Sequence, residues 1–320
     1  MRVLLTGASG FVGRAIQERL LCGDGYQVRS IFRALPERVP ENLDARLLGG
    51  IGPDTDWSES LHGVATVVHS AARVHVMDDQ EADPLSAFRH VNTEGTVRLA
   101  RQAVEAGVRR FVFISSIKVN GEFTRQGIPF TADDVAAPTD PYGVSKLEAE
   151  QALRALAEVS GMEVVIIRPT LVYGPGVKAN FLSMLRWLDK GVPLPLASID
   201  NRRSLVALDN LVDLILTCME HPAAANQTFL VSDGEDLSTS GLLRRMGQAL
   251  GRPARLLPMP TWALEAAATL LGKRSISMRL CASLQVDISK TRRILGWNPP
   301  VSVDEALVKV ARYFKETEAK

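Results

Sequence analysis

The sequence has no long uninterrupted apolar run. Its most apolar helical segment, TWALEAAATLLG (261–272), contains Glu265. It falls short of the roughly 20 residues a helix needs to cross a bilayer, so membrane insertion is not expected. Cysteine is scarce: Cys22, Cys218 and Cys281 lie far apart with no paired spacing. That pattern excludes a disulfide framework and a thiolate zinc site, and it fits a reducing compartment. The five histidines (62, 69, 75, 90 and 221) form no metal-ligand motif, and no metal is expected. An excess of either charge is missing too. Lys and Arg number 37 against 36 Asp and Glu, a formal net charge of +1. Nothing in that balance points to nucleic acid or an anionic membrane as a partner. The opening MRVLLTGASG reaches glycines without the apolar stretch of a signal peptide. A cytoplasmic protein is expected, and no internal repeat or low-complexity segment is visible.

What is present is ordinary globular material. The 320 residues are 46% hydrophobic and 23% charged, enough for two domains or one large α/β domain with an appended lobe. Short apolar strands alternate with amphipathic helices through the first half. RVLLTG, YQVRSIFR, ATVVHSAA, RRFVFISS and MEVVIIRPTLVYG read as strands. FVGRAIQERLL, DPLSAFRHVNTEGTVRLARQAVEAG and DPYGVSKLEAEQALRALAEVSG read as helices. Val-, Ile-, Leu- and Phe-rich runs suit strands covered on both faces. Repeated βα units of this kind predict an α/β fold with an open, doubly wound parallel sheet over residues 1–174. After Gly174 the rhythm weakens, and 175–320 reads as a smaller, mainly helical C-terminal substrate lobe. Segments around 200–232, RRSLVALDNLVDLILTCME and QTFLVSD, are expected to return to the sheet.

The first strand ends in TGASGFVG, which spaces Gly7, Gly10 and Gly13 three apart around Ser9, Phe11 and Val12. Glycines let a backbone turn tightly and approach a pyrophosphate, and the helix N-terminus that follows offers free N–H groups. A glycine triplet alone would be weak, but its place between the first strand and first helix predicts a Rossmann dinucleotide site. The G-x-x-G-x-x-G spacing resembles the short-chain dehydrogenase/reductase superfamily. At the end of the second strand a carboxylate favours NAD and an arginine favours NADP. YQVRSIFR ends in Arg33 with no acid beside it, so NADP(H) is preferred and NAD(H) is possible; an ordinary surface arginine is the alternative.

DPYGVSKLEAE (140–150) places Tyr142 and Lys146 one helical turn apart. Asp140 suits a helix cap and Pro141 the first helical position, with Glu148 and Glu150 in the early turns. In isolation such a pair is only a helix surface. Ser115 and Ser116, however, close the strand FVFISS at the sheet end where ligands bind. Hydride transfer at a carbonyl builds charge on oxygen, which a phenol can neutralise. A nearby ammonium can lower a phenol pKa of about 10 by roughly 1–3 units. That brings Tyr142 toward the range for general acid–base work.

TGASGFVG, HSAA, SSIKVNG, PYGVSK, RPTLVYGPG and DISKTRRILGW together resemble the extended short-chain dehydrogenases of nucleotide-sugar metabolism, in order and over nearly the whole chain. The resemblance implies a catalytic Ser116, Tyr142 and Lys146, with Tyr142 and Lys146 also at the nicotinamide ribose. It implies cofactor packing by Ala71, Ala72 and Pro169, support by Asn92, and a homodimer through helices equivalent to 84–106 and 141–160. Arg168 would begin the turn beneath the nicotinamide. Asn180 and Arg202 resemble contacts to a UDP-sugar diphosphate, and Ser116 and Lys118 would face the sugar. For Ala71, Ala72, Asn92, Asn180 and Arg202 a plain packing or surface role is the alternative. His69 reads as a core histidine, and Asp78, Asp79, Glu81 and Asp83 as a solvated loop that could border the substrate.

Departures narrow the choice. The 4,6-dehydratases carry Asp-Glu after the catalytic Ser/Thr, where this chain has Ile117 and Lys118. Leu171 stands where many UDP-sugar members have Asn, and Gly50 where an adenine-binding acid is common. SSIKVNGE, PLPL and NRRSLVALDNL look most like bacterial 4-keto reductases of surface-polysaccharide synthesis. Reduction of a UDP-4-keto-6-deoxy-N-acetylhexosamine is therefore the expected activity. A UDP-hexose or UDP-HexNAc 4-epimerase is the alternative, and a non-catalytic dinucleotide sensor a third reading.

Overall fold

The structure is a computed structural model that describes residues 1–23, 25–74, 83–270 and 280–318. His75, Asp78, Asp79 and Glu81 lie outside the described residues. The first part of the chain forms β1 (Arg2–Thr6), α1 (Phe11–Leu21), β2 (Gln27–Phe32), β3 (Leu43–Leu47), α2 (Ser58–Leu61) and β4 (Thr66–His69). Then come α3 (Pro84–Phe88), a π-helical turn Arg89–Glu94, α4 (Gly95–Glu105), β5 (Arg110–Ile114) and α5 (Pro141–Ser160). β6 (Glu163–Pro169), β7 (Leu171–Tyr173), α6 (Ala179–Asp189), β8 (Arg203–Ala207) and α7 (Leu208–Glu220) follow. The last elements include β9 (Thr228–Val231), β10 (Asp236–Leu237), α8 (Thr239–Ala249) and α9 (Thr261–Leu270), and then helices Ser289–Leu295 and Val303–Glu318.

Seven strands run in the order β3-β2-β1-β4-β5-β6-β9, all parallel. This is the doubly wound α/β sheet predicted from the sequence. Alternation within the strands explains its two covered faces. Val3 and Leu5 pack with Ile16 and Leu20 of α1 and with Leu211 and Ile215 of α7. Leu4 points the other way, among Leu99 and Ala103 of α4 and Ala149 and Leu153 of α5. Each such fully buried side chain contributes about 1.5–3 kcal/mol. The strand order reverses between β1 and β4, which opens the crevice where open α/β sheets hold ligands.

Three features differ from the sequence reading. β3 was not anticipated: LDARL lacks the continuous apolar run of its neighbours, and its alternating Asp44 and Arg46 mark a short strand with one more solvated face. Asp44 accounts for that pattern: it pairs with Arg29 of β2 and with Arg46, each at 2.6 Å, along the sheet's outer strands. RPTLVYG is not one strand. Thr170 separates β6 from β7, and β7 joins β8 and β10 in a second sheet. Of the two segments expected to return, Thr228–Val231 pairs with β6, while Arg203–Ala207 pairs with β7 and β10 instead.

The second sheet belongs to a separate apolar cluster built from α6, α8 and Val303–Glu318. A buried polar node links it to the main sheet. Tyr173 donates to Asp233 Oδ2 at 2.8 Å, and Asp233 Oδ1 accepts from Ala207 N and Asn210 Nδ2, both at 2.7 Å. Among the described residues, no helix is long and apolar enough to cross a membrane.

Candidate active site

The glycine turn is shaped by contact rather than by composition alone. Gly7 has φ +75°, and a Cβ there would lie 2.7 Å from Ala71 N. A Cβ on Gly13 would fall 2.1 Å from the Gly7 carbonyl oxygen, inside any tolerable contact. Gly10 N–H donates to Gly7 O at 2.9 Å and closes the turn. α1 then begins with no side-chain cap and no acid in its first turn. Its free N–H groups and positive dipole end suit a pyrophosphate, so the residues fit a dinucleotide. Ser9 is exposed, Phe11 and Val12 are half-buried, and Ala71 and Ala72 line the end of β4 opposite Gly7. Arg33 is exposed one residue beyond β2.

Beneath this turn, His69 is fully buried. Its Nδ1 lies 2.7 Å from Thr6 Oγ1 and its Nε2 2.9 Å from Thr96 Oγ1. Burial, and secondarily the Lys146 ammonium, push its pKa down to about 3. It is a neutral core histidine that fastens β1, β4 and α4.

α5 brings Tyr142 and Lys146, the residues expected to do acid–base work, to the end of β5. Asp140 caps it by accepting from Gly143 N at 2.7 Å, and Pro141 takes the first turn. Gly161, at φ +73°, ends it. Three residues at four-residue spacing on one stripe of α5 meet three consecutive residues of the β5 terminus. Tyr142 hydrogen-bonds Ser116, Lys146 Nζ donates to Ile114 O at 2.9 Å, and Glu150 Oε1 accepts from Ser115 Oγ at 2.5 Å. Phe88 packs edge-on to Tyr142 at 6.0 Å, and Phe113 lies 4.4 Å beneath the Lys146 ammonium.

The electrostatics differ from the expected lowering of the Tyr142 pKa by Lys146. Burial first, and then the Asp140 carboxylate, push the phenol up to about 12, with Ser116 pulling the other way. Lys146 carries the shift toward neutrality. Burial brings it down to about 7, opposed by Glu150. At neutral pH the phenol holds its proton and the lysine is poised to exchange one.

Around this centre, Asn92 is buried, and both ends of its amide are engaged by protein. Its Oδ1 accepts from Arg73 N at 2.8 Å, and its Nδ2 donates to Arg73 O and to Ser145 Oγ. It braces the chain after β4 against α5. Lys118 pairs with Asp140 and, at 3.3 Å, with Glu122. Pro169 is buried at the end of β6. Asn180, in the first turn of α6, and Arg202, just before β8, are both exposed on the other lobe. Leu171 is exposed as well.

The structure therefore gathers the glycine turn, Ala71, Ala72, Ser116, Tyr142, Lys146 and Pro169 at the ends of neighbouring strands. The sequence reading missed the role of Glu150, taken only as an early-turn acid. It is fully buried and accepts from Arg168 at 2.8 and 2.5 Å and from Arg154 at 2.8 Å. Its spacing of four from Lys146 was the available signal.

Comparison with known proteins places this geometry. The profile of the NAD dependent epimerase/dehydratase family matches residues 3–232. A Vibrio cholerae protein named UDP-glucose 4-epimerase is 53% identical over 98% of this chain and 95% of its own length. An Escherichia coli O157:H7 protein named N-acetyl-alpha-D-glucosaminyl-diphospho-ditrans,octacis-undecaprenol 4-epimerase is 26% identical over 97% of this chain and 94% of its own. A UDP-glucuronic acid 4-epimerase from Bacillus cereus, solved in complex with NAD, superposes with a TM-score of 0.79 at 20% identity, covering 100% of this chain and 98% of that one. A glycine cradle, a Ser–Tyr–Lys centre and these full-length similarities agree, and the chain belongs to the NAD dependent epimerase/dehydratase family.

Proposed function

We propose that this protein interconverts the C4 epimers of a UDP-hexose or UDP-N-acetylhexosamine with NAD as its dinucleotide. The observation that carries this reading is the 53% identity, over nearly all of both chains, to a protein named UDP-glucose 4-epimerase. The 4-keto reductase expected from sequence likeness needs the same Ser116, Tyr142 and Lys146, so those residues do not separate the two. The relative's name favours the epimerase.

In this reading Tyr142 exchanges a proton with the O4 hydroxyl of the sugar. Ser116 hydrogen-bonds the same oxygen and holds it beside the phenol. Lys146, with a pKa brought to about 7, would steady the nicotinamide ribose and the ionised phenol, and the proton Tyr142 takes from O4 returns to O4 in the second half of the cycle. When bound at the glycine turn, an oxidised dinucleotide would supply the hydride acceptor and a nearby positive charge that favours ionisation of the Tyr142 phenol. Asn180 and Arg202 are assigned to the diphosphate, where an arginine fork fits phosphate oxygens, and Lys118 to the sugar side of Ser116.

The NAD assignment draws on the solved Bacillus cereus relative and replaces the NADP(H) preference inferred from Arg33. Arg33→Ala is expected to leave NAD affinity nearly unchanged. A large loss confined to the 2′-phosphorylated dinucleotide, together with tighter binding of that form by the unaltered protein, would restore NADP. A homodimer through α4 and α5 is proposed on resemblance, and sedimentation equilibrium should give about twice the 34.8 kDa chain mass; a monomer would remove it.

The deciding assay offers the purified protein UDP-glucose and UDP-N-acetylglucosamine separately with NAD. A parallel reaction supplies UDP-4-keto-6-deoxy-N-acetylglucosamine with reduced dinucleotide. Formation of the 4-epimer without net change in dinucleotide absorbance is the expected result. Stoichiometric oxidation of the reduced dinucleotide by the ketone, with no epimer formed in the first reaction, would make the protein a reductase.

A further inference from the structure

Glu150 is an unusual residue to find where it is. It is a carboxylate at 0% exposure, held by Arg168, which is itself 3% exposed. Burying a charge is costly unless it is paired and hydrogen-bonded, and here both Glu150 oxygens are engaged. Oε1 accepts from Ser115 Oγ and Arg168 Nε, and Oε2 accepts from Arg168 Nη2 and Arg154 Nη2. Arg168 Nη1 continues the chain to Asn120 Oδ1 at 2.9 Å, in the loop that leaves Ser116. The network therefore ties α5 to β6 and to both sides of the strand end that carries Ser116.

Its placement follows the catalytic stripe. Ile114, Ser115 and Ser116 are consecutive, and each holds one member of the Tyr142–Lys146–Glu150 series. A shift of α5 along the strand would break all three contacts together. A structural ion pair could sit anywhere in the core; this one sits a single turn beyond the lysine and bonds the residue between its two active-site neighbours.

We propose that Glu150, clamped by Arg168, is the positioning residue of the active site: it fixes the register of α5 against the β5 terminus and sets a carboxylate one helical turn from the Lys146 ammonium. The proposal rests on the assignment of Tyr142 and Lys146 to the chemistry. Among the described residues, the charged and titratable groups around Lys146 include Tyr142 and Glu150 on α5 and His69 on β4, and behind Glu150 stand Arg168 on β6 and Arg154 on α5. His69 is neutral above pH 3, and Glu150 is the group that raises the Lys146 pKa.

The test is an NMR titration of protein labelled at the lysine 13Cε carbons, with the Lys146 resonance identified from a Lys146→Met sample. Glu150→Gln keeps the shape and removes the charge. The titration of Lys146 is expected to move down from about 7 by about 1 pH unit or more. In the same variant kcat is expected to fall at least about tenfold, while KM changes little, as for loss of a group acting only on the chemical step. Glu150→Gln strands a buried Arg168 cation and can unfold the protein. The neutral double variant Glu150→Gln/Arg168→Gln covers that case, with a smaller downward shift expected. A folded variant of either kind whose Lys146 titrates at the wild-type pH would overturn the proposal. The titration needs no substrate, so it decides this question even if the protein turns over no UDP-sugar; that second result would count against the proposed function alone.

Discussion

In the proposed reaction Tyr142 carries the heaviest load of any single residue. Its phenol has a pKa near 12, a hydrogen bond to Ser116 and a rigid seat against Phe88. Tyr142→Phe keeps that seat and removes the proton. Turnover should drop about 10²–10⁴-fold, with dinucleotide affinity measured by fluorescence titration largely retained. Near-wild-type turnover would remove Tyr142 from the chemistry. His69 offers a test of a different kind. Its folded pKa of about 3 lies below its ordinary value of 6.5, so the unfolded chain binds the extra proton in between. The stability His69 contributes is therefore complete above about pH 6.5 and is lost as pH falls toward 3. His69→Gln, which can keep both threonine contacts, should show a shallower fall in Tm between pH 7 and pH 4. An unchanged slope would mean that the histidine is already protonated in the folded state.

At the scale of the element, α5 shows what the sequence made legible and what it did not. Asp140-Pro141 at its start, Gly161 at its end and the Tyr142–Lys146 spacing were all readable, because caps and helical periodicity are local rules. The pKa order was not readable. An ammonium one turn away argues for a lowered phenol, yet burial and Asp140 raise it, and burial depends on the whole fold. Glu150 was misread for the same reason, since only the position of Arg168 makes a buried carboxylate tolerable there. Asp140 caps α5, pairs with Lys118 and raises the Tyr142 pKa. Asp140→Asn separates the cap from the charge, because asparagine caps about as well as aspartate. Tm should change little, while the Tyr142 phenol, followed by ultraviolet difference against Tyr142→Phe, should ionise at a lower pH. An unmoved titration would show that the Asp140 charge is screened from the phenol.

The whole molecule is built on two sheets. The parallel sheet was legible through β1, β2, β4, β5 and β6, whose apolar runs announce strands covered on both faces. Short or charged strands were not: β3 hides behind Asp44 and Arg46, and β7 looked like a continuation of β6 until Thr170 turned the chain. That turn carries the chain from the end of the parallel sheet into the lobe bearing Asn180 and Arg202. The glycine cradle and the Tyr142 centre thus lie on one body, and the substrate contacts assigned to the lobe lie on the other.

The central claim is that the hydrogen taken from C4 returns to C4 on the opposite face. It is tested most directly with a UDP-hexose or UDP-N-acetylhexosamine carrying deuterium at C4, incubated with the protein in ordinary water and analysed by NMR and mass spectrometry. The account predicts a 4-epimer that keeps its deuterium at C4, with no net consumption of reduced or oxidised dinucleotide. Deuterium lost to water would mean that C4 is deprotonated rather than oxidised and would contradict the account.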